Sequence, residues 1–122
     1  MAKFALDDLR VYGMSEEVAD LIWDLVKGWD SFAKDTVGKQ LVRAGDSVGA
    51  NIAEGYGRAS PGDNQRFVRM AWGSLYEVRH FLRRAEKRGL LNVEAKQPVA
   101  AVLTELLPAL NAYLRSLGDH GS

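Results

Sequence analysis

The sequence contains no cysteine, three prolines and two histidines in 122 residues. Without cysteine the chain forms neither a disulfide nor a thiolate site, and this absence is typical of proteins from a reducing compartment. No segment is long and uncharged enough to cross a bilayer. We therefore expect a cytoplasmic protein without a membrane partner.

The sequence also has almost no strand pattern, and four segments repeat apolar residues every three or four positions. Short connections join these segments, so they can bury their apolar faces together most simply as neighbours of alternating direction. The predicted fold is all-α, an antiparallel up-down-up-down four-helix bundle forming a single domain, 1–122. The predicted helices cover residues about 15–31, 36–57, 61–88 and 92–117.

Capping residues support several of these boundaries. The first helix is predicted to begin at Ser15, the second at Asp35 or Thr36, and the third at Ser60. Gly89 follows a basic turn and closes the third helix.

The fourth helix contains two prolines. Pro98 is a second candidate for its start, and Pro108 is expected to kink or break its interior, because proline removes a hydrogen bond and crowds the preceding turn.

The net charge is zero, but the charges are unevenly distributed. Residues 1–30 carry seven acidic and three basic side chains, whereas residues 61–91 carry three acidic and seven basic ones. We interpret these segments as faces that offset each other within or between subunits. The alternative is a nucleic-acid-binding face on the third helix. Its candidate residues are Arg43, Arg58, Arg66, Arg69, Arg79, Arg83, Arg84, Lys87 and Arg88.

Two patterns suggest contacts beyond the core. On the third helix, Val68, Trp72 and Tyr76 form a second apolar line, which predicts either a subunit interface or a wider core contact. On the second helix, small residues at spacings of four predict close approach of a neighbouring helix. The candidates for close packing or a subunit interface on that helix are Gly45, Gly49 and Ala53, with Asn51 and Glu54 beside them.

The sequence gives little support for an enzymatic site. Glu77 and His80 have the spacing of a metal-binding E-x-x-H pair, but a di-iron bundle needs a second such pair and further glutamates. No nucleophile and base are paired, and the glycines of AEGYGR follow a helix where a phosphate loop would precede one. We predict no catalytic residues, no metal and no cofactor.

The segment Gln40–Arg58, QLVRAGDSVGANIAEGYGR, closely resembles the signature of the four helix bundle protein family, also called 23S rRNA intervening-sequence proteins. The run Ala71–Glu77, AWGSLYE, is similar to that family's A-x-G-S-L-x-E motif, and Leu9, Val11 and Tyr12 are similar to its entry into the first helix. Gly49 stands where the family usually has proline, and Val42 where a second arginine is common.

This resemblance implies a small bacterial protein without an attached catalytic activity that assembles as a ring-like homo-oligomer, a homopentamer in similar proteins. A related branch, the accessory variability protein of diversity-generating retroelements, binds nucleic acid together with a reverse transcriptase. That branch is strongly basic, whereas this chain is neutral. Two hypotheses follow: a scaffold that presents a surface to a protein partner, or a ring that binds RNA or DNA.

Overall fold

The computed structural model describes residues 5–121, with side chains described as far as residue 118. A 3₁₀ helix at Ala5–Asp8 comes first, a π-helical segment spans Lys34–Gly38, and this part of the chain contains no strand. The α-helices are α1 (Arg10–Val26), α2 (Ser31–Ala33), α3 (Lys39–Tyr56), α4 (Pro61–Lys87) and α5 (Val93–Gly121).

Contacts between the long helices show that neighbours run in opposite directions. A Cβ atom built on Gly45 of α3 would lie 2.9 Å from Ile22 Cδ1, and one built on Gly49 would lie 2.8 Å from Ser15 Oγ. The position on α1 therefore falls as the position on α3 rises. Helices α1 and α3 are antiparallel.

The seams between α3 and α4 and between α4 and α5 follow the same rule. Ser47 of α3 hydrogen-bonds Ser74 of α4 at 2.9 Å, while Gly55 lies against Asn64. On α5, Lys96 pairs with Glu86 of α4, and Tyr113 accepts a hydrogen bond from the Asn64 amide of α4 at 3.4 Å. Because α1 also packs against α5, the helices close the predicted up-down-up-down bundle, in which α1 and α4 occupy diagonal corners.

The core lies along the bundle axis and receives side chains from all four long helices. Each fully buried leucine or isoleucine side chain contributes about 1.5–3 kcal/mol to folding, so the core residues dominate the stability. The largest of them are Ile22, Leu41, Ile52, Leu75, Leu106 and Leu110.

The predicted start of the first helix at Ser15 is wrong. Helix α1 begins at Arg10, and Ser15 is fully buried inside it, where its hydroxyl donates to the Tyr12 carbonyl at 2.6 Å. Val11 and Met14 extend the buried stripe toward the N-terminus, so packing lengthens the helix beyond the capping signal.

The predicted cap of the second helix at Asp35 or Thr36 is also wrong. Asp30 caps the segment instead, because its Oδ1 accepts a hydrogen bond from the Ala33 amide at 3.0 Å. The hydroxyl of Thr36 donates to the Phe32 carbonyl, which is an interior helical arrangement. Helical backbone therefore runs from α2 through the π-helical segment into α3.

The ends of α4 agree with the sequence prediction. The Ser60 hydroxyl accepts from the Asp63 amide at 3.1 Å, with Pro61 in the first turn. After the helix, Gly89 takes a φ of 76°, a left-handed conformation that favours glycine.

Helix α5 is not broken by its prolines. Asn92 caps its first turn by accepting from the Ala95 amide at 2.8 Å, and the helix continues through Pro98 and Pro108. Leu106 and Leu110, fully buried on either side of Pro108, hold this region against the core despite the lost hydrogen bond.

Candidate functional site

The second apolar line on α4 is shorter than predicted. Val68 has no exposed surface and belongs to the core, so for this residue the structure agrees with the alternative of a wider core contact. Trp72 is half-buried, Tyr76 is 50% exposed, and their ring centroids lie 6.0 Å apart. The exposed feature is therefore an aromatic pair at the margin of the core.

Three arginines share this side of α4. Arg69 and Arg83 lie seven residues on either side of Tyr76, and Arg79 lies seven after Trp72, so two helical turns bring each of them onto the aromatic side. All three are exposed, and none forms an ion pair within residues 5–118. We call Arg69, Trp72, Tyr76, Arg79 and Arg83 the aromatic edge.

A groove of about 420 Å³ lies beside the aromatic edge, between α4 and α5. Arg79 and Arg83 line it, and Leu75, Leu103 and Leu107 supply apolar walls. This face of the bundle thus combines aromatic, apolar and cationic groups.

The nine predicted nucleic-acid-binding residues do not gather on one surface. Arg43 lies on α3, beside a groove formed with α1, and therefore on the face opposite Arg79 and Arg83. Arg84, Lys87 and Arg88 are at the C-terminal end of α4. None of these cations forms an ion pair with an acidic residue of α1 in the described part of the chain.

Arg58 and Arg66 form a separate cluster where α3 passes into α4. Their guanidinium carbons lie 4.8 and 4.6 Å from the centroid of the Phe67 ring, a cation–π arrangement. Each also has an acidic neighbour, Glu54 at 3.2 Å for Arg58 and Asp63 at 3.8 Å for Arg66. These pairs partly neutralise the cluster.

The opposite face, between α1 and α3, carries a shallow trough of about 240 Å³ lined by small and acidic residues. Gly45 and Gly49 let α3 approach α1 closely, since a Cβ on either would come within 3.0 Å of an α1 side chain. We call this feature the acidic trough. Its lining is Tyr12, Ser15, Glu16, Ala19, Asp20, Gly45, Asp46, Gly49, Ala50 and Ala53.

One titratable group in the acidic trough, Tyr12, has a shifted pKa. Partial burial, followed by the nearby carboxylates of Glu16 and Asp7, raises the pKa of Tyr12 above its usual value. Removing the phenol from water and placing it beside negative charge both disfavour the tyrosinate. Tyr12 therefore stays a neutral hydrogen-bonding group.

Residues 7–112 match the family model described as 23S rRNA-intervening sequence protein. The chain belongs to that family. Among solved structures, it is similar to a protein of unknown function from the S23 ribosomal protein family of Bacteroides thetaiotaomicron, at 25% identity and a TM-score of 0.76. That match covers 85% of this chain and 97% of the other. No curated protein matches this chain.

Family membership confirms the resemblance read from α3 and α4, while the relation to the accessory variability protein stays a prediction. Within the family signature, Asn51 is half-buried, and its amide donates to the Ser47 carbonyl at 2.9 Å and hydroxyl at 3.1 Å. Through the Ser47–Ser74 bond, Asn51 joins a polar network between α3 and α4. Glu54 is exposed and pairs with Arg58.

Neither a metal site nor a membrane-spanning helix is found among the described residues. They contain no group of three or more histidine, cysteine or carboxylate side chains placed to hold a metal ion. Among them, no helix combines the length and the apolar character that crossing a bilayer requires.

The sequence analysis of this family member missed one surface. Trp23 is 58% exposed and lines an apolar groove between α1 and α3, to which no function was assigned. Its position off the buried stripe Val18–Ile22–Val26 was the available signal, since a tryptophan on the polar side of an amphipathic helix is unusual.

Proposed function

We propose that this protein is a non-enzymatic, ring-like homo-oligomer of a bacterial cytoplasm, in which the aromatic edge of one subunit docks into the acidic trough of the next. The observation that carries the proposal is that two complementary faces lie on opposite sides of the bundle. Contacts between unlike faces repeat from subunit to subunit and close into a ring when the rotation permits. The family resemblance implies five subunits.

Shape supports this docking. The aromatic edge projects Trp72 and Tyr76, large side chains that favour the centre of interfaces. The acidic trough offers the opposite relief, because the small side chains of Ala19, Ala50 and Ala53 in its lining leave room for a helix to approach.

Charge supports it as well. The rim of the acidic trough carries Glu16, Asp20 and Asp46, whereas the aromatic edge carries Arg69, Arg79 and Arg83. Opposite charges on the two faces favour unlike contact and oppose the pairing of either face with its own copy. In this arrangement, the acidic residues of one subunit meet the basic residues of the next, which accounts for the unequal distribution of charge along a neutral chain.

The test blocks each face separately. Tyr76→Glu places a carboxylate on the aromatic edge, and Ala50→Arg places a cation at the exposed lip of the acidic trough. We expect each variant to be monomeric by light scattering, while an equimolar mixture forms a one-to-one dimer, because one intact face of each kind remains. Tyr56→Glu, at another exposed tyrosine, is the matched control and should leave assembly unchanged.

Two results would overturn the docking scheme. A monomeric parent protein would remove the oligomer altogether. Assembly of both variants at the parent's mass would show that subunits join through other surfaces.

The assembled ring would serve as a scaffold that presents its remaining surfaces to a protein partner. The lack of a three-ligand metal cluster in the described residues and the unknown function of the solved relative are compatible with such a role. Crosslinking of the purified ring in extracts of its source cell, with Tyr76→Glu as the monomeric comparison, should identify a partner that requires the assembly.

A second candidate function is binding of RNA or DNA by the exposed and half-buried cations of α4. It is favoured by one observation, that the acidic residues of α1 form no ion pairs with these cations in the described part of the chain. Phosphate contacts by Arg66, Arg84 and Arg88 would give salt-dependent affinity with little sequence preference.

Fluorescence anisotropy with a structured bacterial RNA and a duplex DNA across a salt series tests this candidate. Binding that weakens steeply with salt, and weakens further in Arg84→Gln/Arg88→Gln, would support it. A ring without detectable binding at low salt would exclude it and leave the scaffold.

A further inference from the structure

The groove beside Trp23 lies between α1 and α3, as the acidic trough does, and the two features share only Asp46 among their lining residues. This groove lies at the end of α1 and the beginning of α3, and its volume is about 580 Å³. That value falls within the range of about 300–1,000 Å³ for small-molecule sites. The groove, here called the Trp23 groove, is lined by Trp23, Val26, Lys27, Lys34, Gly38, Lys39, Val42, Arg43 and Asp46.

The π-helical segment helps to form this groove. Lys34 and Gly38, the two ends of that segment, both contribute to the lining. Gly38 brings the backbone close to α1, because a Cβ there would lie 2.8 Å from Val26 Cγ1 and 2.9 Å from the Ala33 carbonyl. Single-turn π segments inside longer helices are rare and occur frequently at functional sites.

The walls of the groove are apolar. Val26 is buried, Val42 is half-buried, and the 58% exposed indole of Trp23 stands beside them. An exposed tryptophan next to aliphatic side chains offers a hydrocarbon chain a surface that is costly to leave in water.

Charges around the groove are unequally placed. Lys34 and Lys39 lie at one end, are exposed, and form no ion pair within residues 5–118. Lys27 is held at 3.1 Å by Asp24, and Asp46, the one carboxylate among the lining residues, lies toward the opposite end near Arg43. Asp30 and Asp35 do not line the groove.

We propose that the Trp23 groove binds an amphiphilic anion, a single alkyl chain with a carboxylate or phosphate head. The chain lies against Trp23, Val26 and Val42, and the head lies between Lys34 and Lys39. Charge complementarity selects this ligand, since the two lysines without an ion pair among the described residues lie at one end of an apolar surface and the single lining carboxylate, Asp46, lies toward the other. From Lys34 to Asp46 the helical backbone advances about 18 Å, which an extended alkyl chain can follow.

Isothermal titration calorimetry of the full chain tests the site, with each ligand kept below its critical micelle concentration. We expect dodecanoate and dodecyl phosphate to bind, neutral dodecyl maltoside to bind at least about tenfold more weakly because it lacks the charge contacts, and inorganic phosphate to show no binding because it lacks the chain. Dodecanoate should also shift the tryptophan fluorescence, and Trp23→Phe should remove most of that shift.

Two pairs of substitutions separate the site from general surface charge. Lys34→Gln/Lys39→Gln should weaken dodecanoate binding about tenfold, a modest change because exposed charge contacts are weak. Arg66→Gln/Arg115→Gln removes the same number of positive charges from the opposite end of the bundle and should leave the affinity unchanged. Val42→Asp should abolish binding by placing a carboxylate against the chain.

Several outcomes would overturn the proposal. Equal affinity for dodecanoate and dodecyl maltoside, or no effect of Lys34→Gln/Lys39→Gln, would remove the role of the cations. Binding to vesicles of an anionic phospholipid without binding to monomeric dodecanoate would mean that the lysines recognise a membrane surface. A lower subunit number in Lys34→Gln/Lys39→Gln, without dodecanoate binding to the parent, would mean that another copy of the chain covers the groove.

Discussion

Helices α3 and α5 occupy opposite corners of the bundle and pack against the same two neighbours, α1 and α4, by different means. Beside its aliphatic core residues, helix α3 places glycine and serine at the contacts with both neighbours, so backbones come close and added atoms find no room. Helix α5 meets them through leucines such as Leu106 and Leu110. The contacts of α3 therefore depend on small residues, whereas those of α5 depend on large leucine side chains.

This contrast explains where the open spaces lie. Leu75, Leu103 and Leu107 line the groove that opens beside Arg79 and Arg83 between α4 and α5. The close approach of α3 to α1 instead leaves a shallow trough on the surface. The two packing modes therefore create the unlike faces on which the proposed assembly depends.

The largest expected effect is the loss of a core leucine from α5. Leu106→Ala should lower the free energy of unfolding by about 3 kcal/mol, through lost burial and an unfilled cavity. Leu107→Ala is the matched control, because Leu107 is only half-buried beside the groove and should cost about 1 kcal/mol. Urea unfolding measures both, and equal costs would contradict the picture of one packed and one open side of α5.

On α3 the expectation is reversed, because adding one carbon should destabilise the protein. A Cβ on Gly55 would lie 2.6 Å from Asn64 Oδ1 and 2.9 Å from Phe67 Cβ, so Gly55→Ala forces α3 away from α4. We expect a loss of about 2 kcal/mol from overpacking.

A glycine on α4 supplies the control for Gly55. Gly73→Ala meets nothing within 4 Å and should stabilise the protein by about 1 kcal/mol through helix propensity. Thermal unfolding measures the stability of both variants against the parent protein. A stabilised Gly55→Ala would show that close approach of the backbones does not hold α3 against α4.

A smaller effect is expected at the ion pair that joins α4 to α5. Lys96 and Glu86 lie 2.5 Å apart with about a third of each side chain exposed, so Lys96→Met should cost about 0.5 kcal/mol and less at high salt. Lys27→Met breaks the more exposed Lys27–Asp24 pair and should change the stability by less. Equal effects would mean that the contact between helices adds nothing.

The smallest effect concerns the titration of Tyr12 in the acidic trough. Because its pKa is raised in the folded state, the folded protein holds this proton more tightly, and the contribution to stability is lost as pH rises above about 10, the unfolded value. Ultraviolet titration should show Tyr12 ionising above its usual pKa. Glu16→Gln should lower that value, and an unchanged pKa would leave burial and the Asp7 carboxylate as its causes.

Much of the fold could be predicted because its signals are local. Four apolar repeats of helical period specify four helices, and Ser60 with Pro61 marks a start that needs no distant partner. The family signature on α3 was readable for the same reason. The early start of α1 was not, because Val11 and Met14 form helix by packing on other elements.

The candidate sites were predicted less well, for geometric reasons. Residues four apart drift by about 40° around a helix, so a line from Val68 to Tyr76 turns by about 80° and passes from core to solvent. The spacing alone did not locate that transition. Trp23 carried a signal for its groove, but Lys34 and Gly38 of the lining belong to a π-helical segment for which the sequence shows no local signal.

The π-helical segment also changes the direction in which the preceding residues point relative to α3. A single inserted residue rotates everything upstream by about 100° relative to α3. That rotation contributes to the position of Phe32, whose side chain is 79% exposed. Deleting one residue between Lys34 and Gly38 would convert the segment to regular α-helix and carry Phe32 to a different side, while the register of α3 against α1 and α4 stays fixed. The same deletion would rotate the buried Ala33 relative to α3, so the extra residue of the segment lets Ala33 and the apolar side of α3 both face the interior.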